Sequence, residues 1–496
     1  MTANQESPPT AASTDETHNN PGELLRQIVQ RDFDLVRGED DLAYLRPRDG
    51  GPYVHLVGGE KLRSQLRRAY RLEASSSPTK RHLEELFEEL NDMAEELEQS
   101  TLSRRVAQSG SRITLDLADP EGRVVVVRPG KWRVRHRSSE LFVRSKVTGP
   151  LPVPDKNGDL ELLRQFVNVP DRLWPVVKCV ALSWFFPRQA SPILQLLGTA
   201  GAAKSTTTQV LKGLLDPINQ KALSPILRAP KNDEAFTVAC CHQHLVAYNN
   251  VSTLPLWWQD ALCRYVTGDM DIDRTKYSNY DLSTAVLQGP VILNGITMGS
   301  LRHDLAQRTV VLDLRKISKT ERRYDADMAA SWEKARPQVL GGLLDLLSTV
   351  LASLSSVRLA ENPRMADFAR ICAAYDTVTG DSALRAYLRE VEALPGRIVE
   401  EDAVAHAVKT FAVQQKHWSG TARQLAAALP QGETSLPTDP AKLSERLRRV
   451  EDVLAEVGVF VTRRTSNGSK LIELRYTPRD AAAGRRRRAD RVAKRD

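Results

Sequence analysis

The chain has 496 residues, 41% of them hydrophobic and 27% charged, a balance typical of soluble globular proteins rather than of disordered or fibrous ones. Its longest apolar run, residues 179–186, is far shorter than the roughly 18 residues that a membrane span needs. The first 22 residues lack the apolar core of a secretory signal, and the five cysteines form no CxxC pair. We therefore expect a cytoplasmic protein of several domains with no membrane partner and no disulfide framework.

The N-terminal third predicts a small domain without recognisable chemistry. Residues 1–22 are rich in Ser, Thr, Pro and Asn, and we expect them to be disordered. Within an α/β domain at 23–148, the apolar spacing predicts a helix over 81–97, and strands are predicted over 113–117, 123–127 and 132–135. Residues 149–159 contain three prolines, and this composition predicts a linker.

The most informative segment begins at residue 193. A short apolar strand, 193–197, is followed by GTAGAAKS and by a predicted helix over 206–215. Strand, glycine-rich turn and helix N-terminus together favour a phosphate-binding loop, because backbone N–H groups and the helix dipole hold a polyphosphate there. The predicted ATP-binding residues are Gly198, Thr199, Ala200, Gly201, Ala202, Ala203, Lys204, Ser205 and Thr206. Lys204 would reach the β- and γ-phosphates, and the Ser205 hydroxyl would bind Mg²⁺.

Two features of this segment depart from the standard GxxxxGK[ST] pattern. Ala203 replaces the glycine before the lysine, so we expect a negative φ there or a slightly shifted loop. The next candidate strand, 245–248, ends in Asn249 and Asn250 instead of an acidic residue. An amide adds no negative charge and cannot act as a general base, so ATP binding, with Ser205 and Asn249 at the metal, is better supported than hydrolysis. An accidental Gly/Ala helix entry is the alternative.

Two weaker readings concern neighbouring residues. Asp260 and Asp269 are the nearest carboxylates in sequence that could replace the missing acid, but neither ends a strand. Cys240, Cys241, His242 and His244 suggest zinc, although adjacent cysteines do not easily face one ion.

The C-terminal part predicts a DNA-binding winged helix over 401–476. A short helix beginning at 421, a longer one over 440–457 and a hairpin of strands 459–463 and 470–474 follow one another. The longer helix carries Lys442, Arg446 and Arg449 on one face, and the hairpin carries Arg463, Arg464 and Lys470. These residues are predicted to contact DNA, and a protein-binding winged helix is the alternative.

Positive charge is concentrated beyond this domain. Residues 477–496 contain eight basic and three acidic residues, a net charge of +5 out of +8 for the whole chain. We expect a disordered tail whose Arg485, Arg486, Arg487 and Arg488 contact DNA phosphates, or one that serves only solubility.

Taken in order, several segments resemble the phage- and plasmid-type ATP-binding proteins of bacteria, which are related to superfamily-3 and AAA+ helicases. The segments are GTAGAAKSTT, AYNNVSTLPLWWQDALCRYVTG, PVILNGI, LRHDLAQRTVVLDL and PRMADFAR. The resemblance implies an α/β, P-loop AAA+-like ATPase core over 160–318 and a helical lid over 319–400. It also implies that Asn294 is a sensor residue that orients water beside the γ-phosphate, and that Arg308 is an arginine finger acting on a neighbouring subunit's nucleotide. A finger of this kind implies a homo-oligomer, such as a ring.

These observations lead to one principal hypothesis and two rivals. The principal hypothesis is an ATP- and Mg²⁺-binding, helicase-like protein of a phage, prophage or plasmid, acting on DNA during replication. The first rival is a catalytically weak or silent initiator or regulator whose assembly depends on nucleotide, as Asn249 suggests. A defence or signalling ATPase is the second, since a fold does not fix a function.

Overall fold

The structure is a computed structural model that describes residues 20–219, 225–271, 286–295, 301–430, 436–466 and 469–478. Helices and strands alternate along the chain, and the predicted mixed α/β class is confirmed. Two large apolar clusters fill the body of the molecule, and a smaller one lies beneath the first three helices.

The N-terminal domain combines three helices with two sheets. Its elements are α1 (Pro21–Asp32), β1 (Phe33–Gly38), β2 (Ala43–Pro47), β3 (Tyr53–Leu56), α2 (Glu60–Ala74), α3 (Lys80–Glu95), β4 (Gln99–Ser100), β5 (Leu102–Ser103), β6 (Val106–Ser109), β7 (Arg112–Asp116), β8 (Val124–Arg128), β9 (Lys131–Arg135) and β10 (Leu141–Val143). One sheet has the strand order β4-β1-β2-β3-β10-β5, and the other has the order β6-β7-β8-β9. The predicted helix and the three predicted strands therefore match α3, β7, β8 and β9 to within three residues.

The first boundary falls slightly earlier than predicted. Helix α1 begins at Pro21, and the Asn20 side chain accepts a hydrogen bond from the Gly22 N–H at 3.0 Å. Proline in the first turn and an Asn cap both favour a helix start, so residues 21 and 22 belong to the folded domain.

The segment 149–159 is not a free linker, contrary to the prediction. It lies along a long helix, α9 (Asp325–Leu354), where Asp155 N–H donates to the Pro337 carbonyl and Asp159 N–H donates to that of Gln338, both at 3.0 Å. A Cβ built on Gly341 would lie 2.0 Å from the Asp155 carbonyl oxygen. Glycine therefore permits a backbone-to-backbone contact that the proline content of the segment does not reveal.

The central domain is built on a parallel sheet. Its elements are α4 (Trp174–Ser183), β11 (Ile193–Leu197), α5 (Lys204–Leu215), β12 (Leu227–Arg228), α6 (Asp233–His242), β13 (Val246–Asn249), α7 (Leu256–Thr267), β14 (Met270–Asp271), β15 (Val286–Leu287), β16 (Val291–Gly295), α8 (His303–Ala306) and β17 (Thr309–Asp313). The sheet order is β12-β13-β16-β11-β17, with every described pair parallel, while β14 and β15 form a separate antiparallel pair. The carboxyl ends of β11, β13 and β16 therefore meet at one edge, which is where such sheets bind ligands.

Three helices follow the sheet: α9, α10 (Ala366–Thr379) and α11 (Ala383–Glu401). By length and composition α9 is long and apolar enough to cross a membrane, but its leucines 340, 343, 344 and 347 are fully buried in the core of the protein. A proline inside a helix usually kinks or breaks it, but α11 continues through Pro395. Pro395 removes one helix hydrogen bond, and the burial of Leu394, Ile398 and Val399 on the same helix offsets that cost.

The C-terminal domain contains α12 (Ala403–Gln415), β18 (His417–Thr421), α13 (Ala422–Ala428), α14 (Pro440–Glu456), β19 (Val459–Ser466) and β20 (Ser469–Tyr476). The three strands form an antiparallel sheet in the order β18-β20-β19. Helix α14 buries a stripe of apolar residues that includes Leu443, Leu447, Val450 and Leu454. The hairpin turn at 467–468 lies outside the described residues.

Candidate nucleotide-binding site

The glycine-rich turn connects β11 directly to α5 at the carboxyl edge of the parallel sheet. Gly201 has a φ of +83°, and Ala203, immediately before the helix, has a φ of +53°. The expectation of a negative φ at Ala203 is therefore wrong: the chain keeps the left-handed conformation in which the standard motif uses glycine. For a residue with a Cβ, this conformation costs roughly 1–2 kcal/mol.

Lys204 is the first residue of α5, and its side chain folds back into the turn. Its Nζ donates to the carbonyl oxygens of Gly198 at 2.6 Å and Thr199 at 3.1 Å. Partial burial lowers the pKa of Lys204. Among the described residues, no carboxylate lies within 4 Å of this ammonium group, so it is a cation without a counter-charge inside a loop.

Ser205 and Asn249 are brought together from two different elements. The Ser205 hydroxyl, in the first turn of α5, donates to Asn249 Oδ1, at the end of β13, at 3.0 Å. These are the two residues that the sequence predicts at the metal. Both offer neutral oxygen atoms, so a cation bound here would receive no charge from either of them.

Asn294 lies at the end of β16 and is 1% exposed. Its Nδ2 donates to Thr208 Oγ1 at 2.9 Å, and its Oδ1 accepts from the Asn250 N–H at 2.9 Å. Asn250 has a φ of +54°, so this amide fixes the backbone that follows Asn249. The predicted role of Asn294 toward water stays a prediction, and the structure adds that it positions Asn250 relative to α5.

Arg308, the predicted arginine finger, has a partner within its own chain. Its side chain is buried, and Nη1 donates to the Asp304 carbonyl at 2.9 Å and pairs with the Asp304 carboxylate. A finger must reach a nucleotide on another subunit, whereas here the Arg308 side chain is held by Asp304, four residues earlier in the chain. The finger role of Arg308 stays a prediction. The same carboxylate also binds Arg364 at 2.9 Å, which completes a structural cluster.

Sequence reasoning missed Asn168, which holds the outside of the turn. Its Nδ2 lies 2.9 Å from the Ala202 carbonyl oxygen and 2.7 Å from that of Arg315, and its backbone N–H donates to Thr207 Oγ1 at 3.1 Å. Asn168 also lines an open pocket of about 340 Å³ with residues 164, 167, 169–171, 174 and 315. It lies in an irregular segment without a motif, so no sequence signal could have identified it.

The weaker readings find no support. Asp260 pairs with Arg302 at 2.6 Å, and Asp269 accepts from the Thr267 hydroxyl at 2.6 Å, so both are engaged away from Ser205. Cys240 and His244 are fully buried, and within the described part of the chain no three His, Cys, Asp or Glu side chains are grouped to hold a metal.

The predicted DNA-binding residues of the C-terminal domain do not share one surface. Arg446 pairs at 3.2 Å with Asp402, which caps α12, while Arg449 pairs with Glu445, and Arg463 pairs with Glu451 on α14. Adjacent residues on a strand face opposite ways, so Arg463 and Arg464 lie on opposite faces of the hairpin.

The other predicted contacts of this domain remain exposed. Lys442, Arg464 and Lys470 have no carboxylate within 4 Å among the described residues. Arg485, Arg486, Arg487 and Arg488 lie outside the described residues.

Comparison with known proteins gives two family matches. The model for the replication protein of actinomycete integrative conjugative elements, AICE RepA, matches residues 165–395, and that for the AICE RepA C-terminal domain matches residues 404–488. No curated protein matches the sequence.

Two solved structures show distant likenesses to the chain. An apo structure of the NrS-1 C-terminal region, in its A form, is 9% identical, covers 92% of this chain and 99% of its own, and has a TM-score of 0.39. A JCV helicase structure is 18% identical, covers 45% of this chain and 61% of its own, and has a TM-score of 0.25. Scores this low carry no argument. The two family models, in contrast, span nearly all of residues 165–488, and the chain belongs to the replication proteins of actinomycete integrative conjugative elements.

Proposed function

We propose that this replication protein binds ATP with Mg²⁺ at the turn 198–206 and acts on DNA as a helicase-like protein of its mobile element. The observation that carries the proposal is the 3.0 Å contact between the Ser205 hydroxyl and Asn249 Oδ1, two residues from separate elements that meet at the mouth of the turn.

The surroundings of the turn fit a triphosphate. Lys204 is an uncompensated cation that can exchange two carbonyl partners for phosphate oxygens, and the N-terminus of α5 adds backbone N–H donors and the positive end of the helix dipole. Ser205 and Asn249 would hold the ion, which when bound would neutralise phosphate charge. The all-parallel order, with β11 between β16 and β17, supports assignment to the P-loop AAA+-like class.

DNA contact is the second half of the proposal. The succession α12, β18, α13, α14 and the β19–β20 hairpin supports assignment as a winged helix, and Lys442, Arg464 and Lys470 are exposed on these elements. The basic tail supplies further charge. Oligomerisation stays a prediction, and the pairing of Arg308 with Asp304 gives it no support.

Asn249 favours a second candidate, an initiator or regulator that binds ATP without turning it over at an ordinary rate. Neither Ser205 nor Asn249 supplies the negative charge or general base that efficient hydrolysis uses, and Asp260 and Asp269 are engaged elsewhere.

ATP binding is tested by titration calorimetry with ATP and Mg²⁺. We expect the wild type to bind and Lys204→Ala to weaken binding by about tenfold or more, because a charge-assisted contact to phosphate is lost. Lys334→Ala, which removes an exposed lysine from α9, is the matched control and should bind as the wild type does. Absence of heat on titrating the wild type with any nucleoside triphosphate would overturn the proposal.

Phosphate release distinguishes the two candidates. Asn249→Asp places a carboxylate beside Ser205 and should raise turnover by about a hundredfold if the amide limits it. Asn250→Asp makes the same charge change one residue later, where the side chain makes no hydrogen bond to Ser205, and should not raise it. ATP turnover by the wild type at an ordinary helicase rate would exclude the second candidate, the initiator or regulator that binds ATP without hydrolysing it at such a rate.

A further inference from the structure

A row of positive side chains lies on the β8–β9 hairpin of the N-terminal domain, outside the residues that either family model matches. Its members are Arg128 at the end of β8 and Lys131, Arg133 and Arg135 along β9, and all four are exposed. We call these four residues the basic ribbon.

The strand register puts the basic ribbon on a single face. Arg128 is directly opposite Lys131, Arg133 is opposite Val126, and Arg135 is opposite Val124. Since directly opposed residues share a face and alternate residues repeat it, all four side chains leave the same side of the sheet. Successive members on β9 are about 6.6 Å apart, given a rise of about 3.3 Å per residue.

In the described part of the chain, no carboxylate lies within 4 Å of any of these four cations, in contrast to their neighbours. Nearby arginines of the same domain are paired: Arg112 with Glu140, Arg123 with Asp119, and Arg144 with Asp116. Ion pairs within the fold account for the presence of these three arginines. No such ion pair among the described residues accounts for the four residues of the basic ribbon.

The basic ribbon also acts against stability. Arg128 and Lys131 are like charges directly opposite each other, an arrangement that destabilises a hairpin. Charged side chains on an edge strand do discourage edge-to-edge aggregation, and β9 is the edge of its described sheet. Edge protection does not account for Arg128, however, which lies on the inner strand β8.

The opposite face fixes the basic ribbon to the body of the protein. Trp132 Nε1 donates to Asp345 Oδ1 on α9 at 2.7 Å, and Gly130 N–H donates to the Ser348 carbonyl at 2.8 Å. Lys156 Nζ lies 3.8 Å from the centroid of the Trp132 ring. The charges are therefore held on a rigid support, which lowers the entropy lost when a partner binds.

From this juxtaposition we propose that the basic ribbon binds the phosphate backbone of DNA, as a contact separate from the C-terminal domain. A regular line of unpaired cations on a rigid strand complements a regular line of phosphates, and the contact would position DNA without reading its sequence. The inference rests on membership of a replication-protein family and does not depend on ATP binding at Lys204.

The test compares two matched triple variants of the full-length protein. Lys131→Ala/Arg133→Ala/Arg135→Ala removes one lysine and two arginines from the basic ribbon. Lys334→Ala/Arg385→Ala/Arg389→Ala removes the same residue types from exposed positions on α9 and α11. Fluorescence anisotropy with labelled single-stranded and duplex DNA of equal length, over a series of salt concentrations, measures affinity.

We expect the basic-ribbon variant to bind DNA about tenfold more weakly at low salt. The slope of log K against log salt should fall in magnitude by about 2 to 3, because three phosphate contacts no longer release counterions. The stronger response identifies whether the site favours single strands or duplex. The control variant should bind as the wild type does.

Three results would overturn the proposal. The basic-ribbon variant could bind DNA as the control variant does. It could lose binding to phosphatidylserine vesicles while keeping its affinity for DNA, which would assign the surface to a membrane. It could only aggregate more, with unchanged DNA affinity, which would leave edge protection as its role.

Two further measurements keep the result interpretable. Thermal unfolding of the control variant should match the wild type, and the basic-ribbon variant should be at least as stable, because Lys131→Ala removes the like-charge pair with Arg128. ATP titration of the basic-ribbon variant should also match the wild type, so a failure of nucleotide binding and a failure of this inference are distinguishable.

Discussion

Ala203 stores backbone strain at the entrance to α5. Its φ of +53° belongs to a region that only glycine enters freely, yet Ala203 O accepts the helix bond from Thr207 N–H at 2.9 Å. The surrounding turn therefore holds Ala203 in place against its own preference, and the strain lies beside the atoms proposed to meet phosphate.

Ala203→Gly should stabilise the protein. The substitution relieves roughly 1–2 kcal/mol of strain and gives back part of it through the greater freedom of glycine in the unfolded chain, for an expected gain of about 0.5–1 kcal/mol. Ala202→Gly is the control, since Ala202 is fully buried and does not have a positive φ, and it should destabilise. Chemical denaturation measures both, and a loss of stability with Ala203→Gly would contradict the strain.

For single residues, the sequence predicts the position well when the residue belongs to a recognisable motif. Ser205 and Asn249 were expected at one place and are in contact, because both follow strands of a parallel sheet. Arg308 was expected to act as an arginine finger, and its position just before β17 did not reveal that its side chain would pair with Asp304. Asn168 had no local pattern at all, since its partners are carbonyl groups distant in sequence.

Helices α9 and α11 both contain residues that usually break helices. Pro337 and Pro395 lie inside them, and Gly341 and Gly342 occupy the middle of α9. The glycines allow the segment 149–159 to approach the helix backbone, so residues unfavourable for an isolated helix serve its packing.

Gly341→Ala should destabilise the protein by several kcal/mol. The added Cβ would lie 2.0 Å from the Asp155 carbonyl oxygen. Because both contacting groups are backbone, neither can move away without distorting the surrounding structure. Gly213→Ala, in α5, meets only Trp332 Nε1 at 3.6 Å and should instead stabilise by about 0.5–1 kcal/mol, the helix preference for alanine over glycine. Urea denaturation measures the free energy of unfolding of both variants. Equal changes in the two would show that the contact between Asp155 and Gly341 does not constrain α9.

Element positions were largely predictable and element interruptions were not. Strand β11 matches its predicted bounds, and α3, β7, β8 and β9 lie within three residues of theirs. Pro395 belongs to a residue type that usually ends a helix, yet α11 continues through it because the burial of neighbouring residues offsets the cost. Residues 149–159 were predicted to be a linker because their composition does not indicate that they pack on Gly341 and Gly342, about 180 residues later in the chain.

A buried ionic network joins the N-terminal domain to the central one. Arg105 binds Asp216 at 3.2 Å and donates to the carbonyl oxygens of Asp116 and Gly149, while Asp216 also binds Lys212, in α5, at 3.2 Å. The backbone N–H of His244 donates to the same carboxylate at 3.0 Å. Burial of all four residues makes this network costly to break.

His244 makes stability depend on acidity. Burial lowers its pKa to about 4, compared with about 6.5 in an unfolded chain, so between these values the unfolded state binds the additional proton. The free energy of unfolding should therefore fall as pH drops from 6.5 to 4, by about 3 kcal/mol for this residue. Burial lowers the pKa of His55 to about 4 as well, which adds to the same window.

His244→Gln should flatten this dependence, and His406→Gln, at an exposed position, should leave it unchanged. Denaturation at a series of pH values between 4 and 7 measures the slope. A slope that is unaffected by His244→Gln would show that other groups carry the dependence.

At the scale of the whole molecule, the sequence did not indicate how distant segments attach to one another. Arg105, Asp216 and His244 carry no motif, and the contact between Arg105 and Asp216 joins residues 111 positions apart. Composition also placed most of the excess charge in the tail, whereas the register of β8 and β9 was needed to show that four ordinary basic residues line up.

The close fit of residues 149–159 on α9 sets how the chain can be shortened. A fragment starting at residue 160 would expose Gly341 and Gly342 to solvent. The carbonyl groups of Pro337 and Gln338 would lose the hydrogen bonds that Asp155 and Asp159 donate to them. Residues 149–159 therefore form part of the contact between the N-terminal domain and the rest of the protein, although their composition suggests a truncation site. Biochemical experiments on either part are best carried out with the other part still attached.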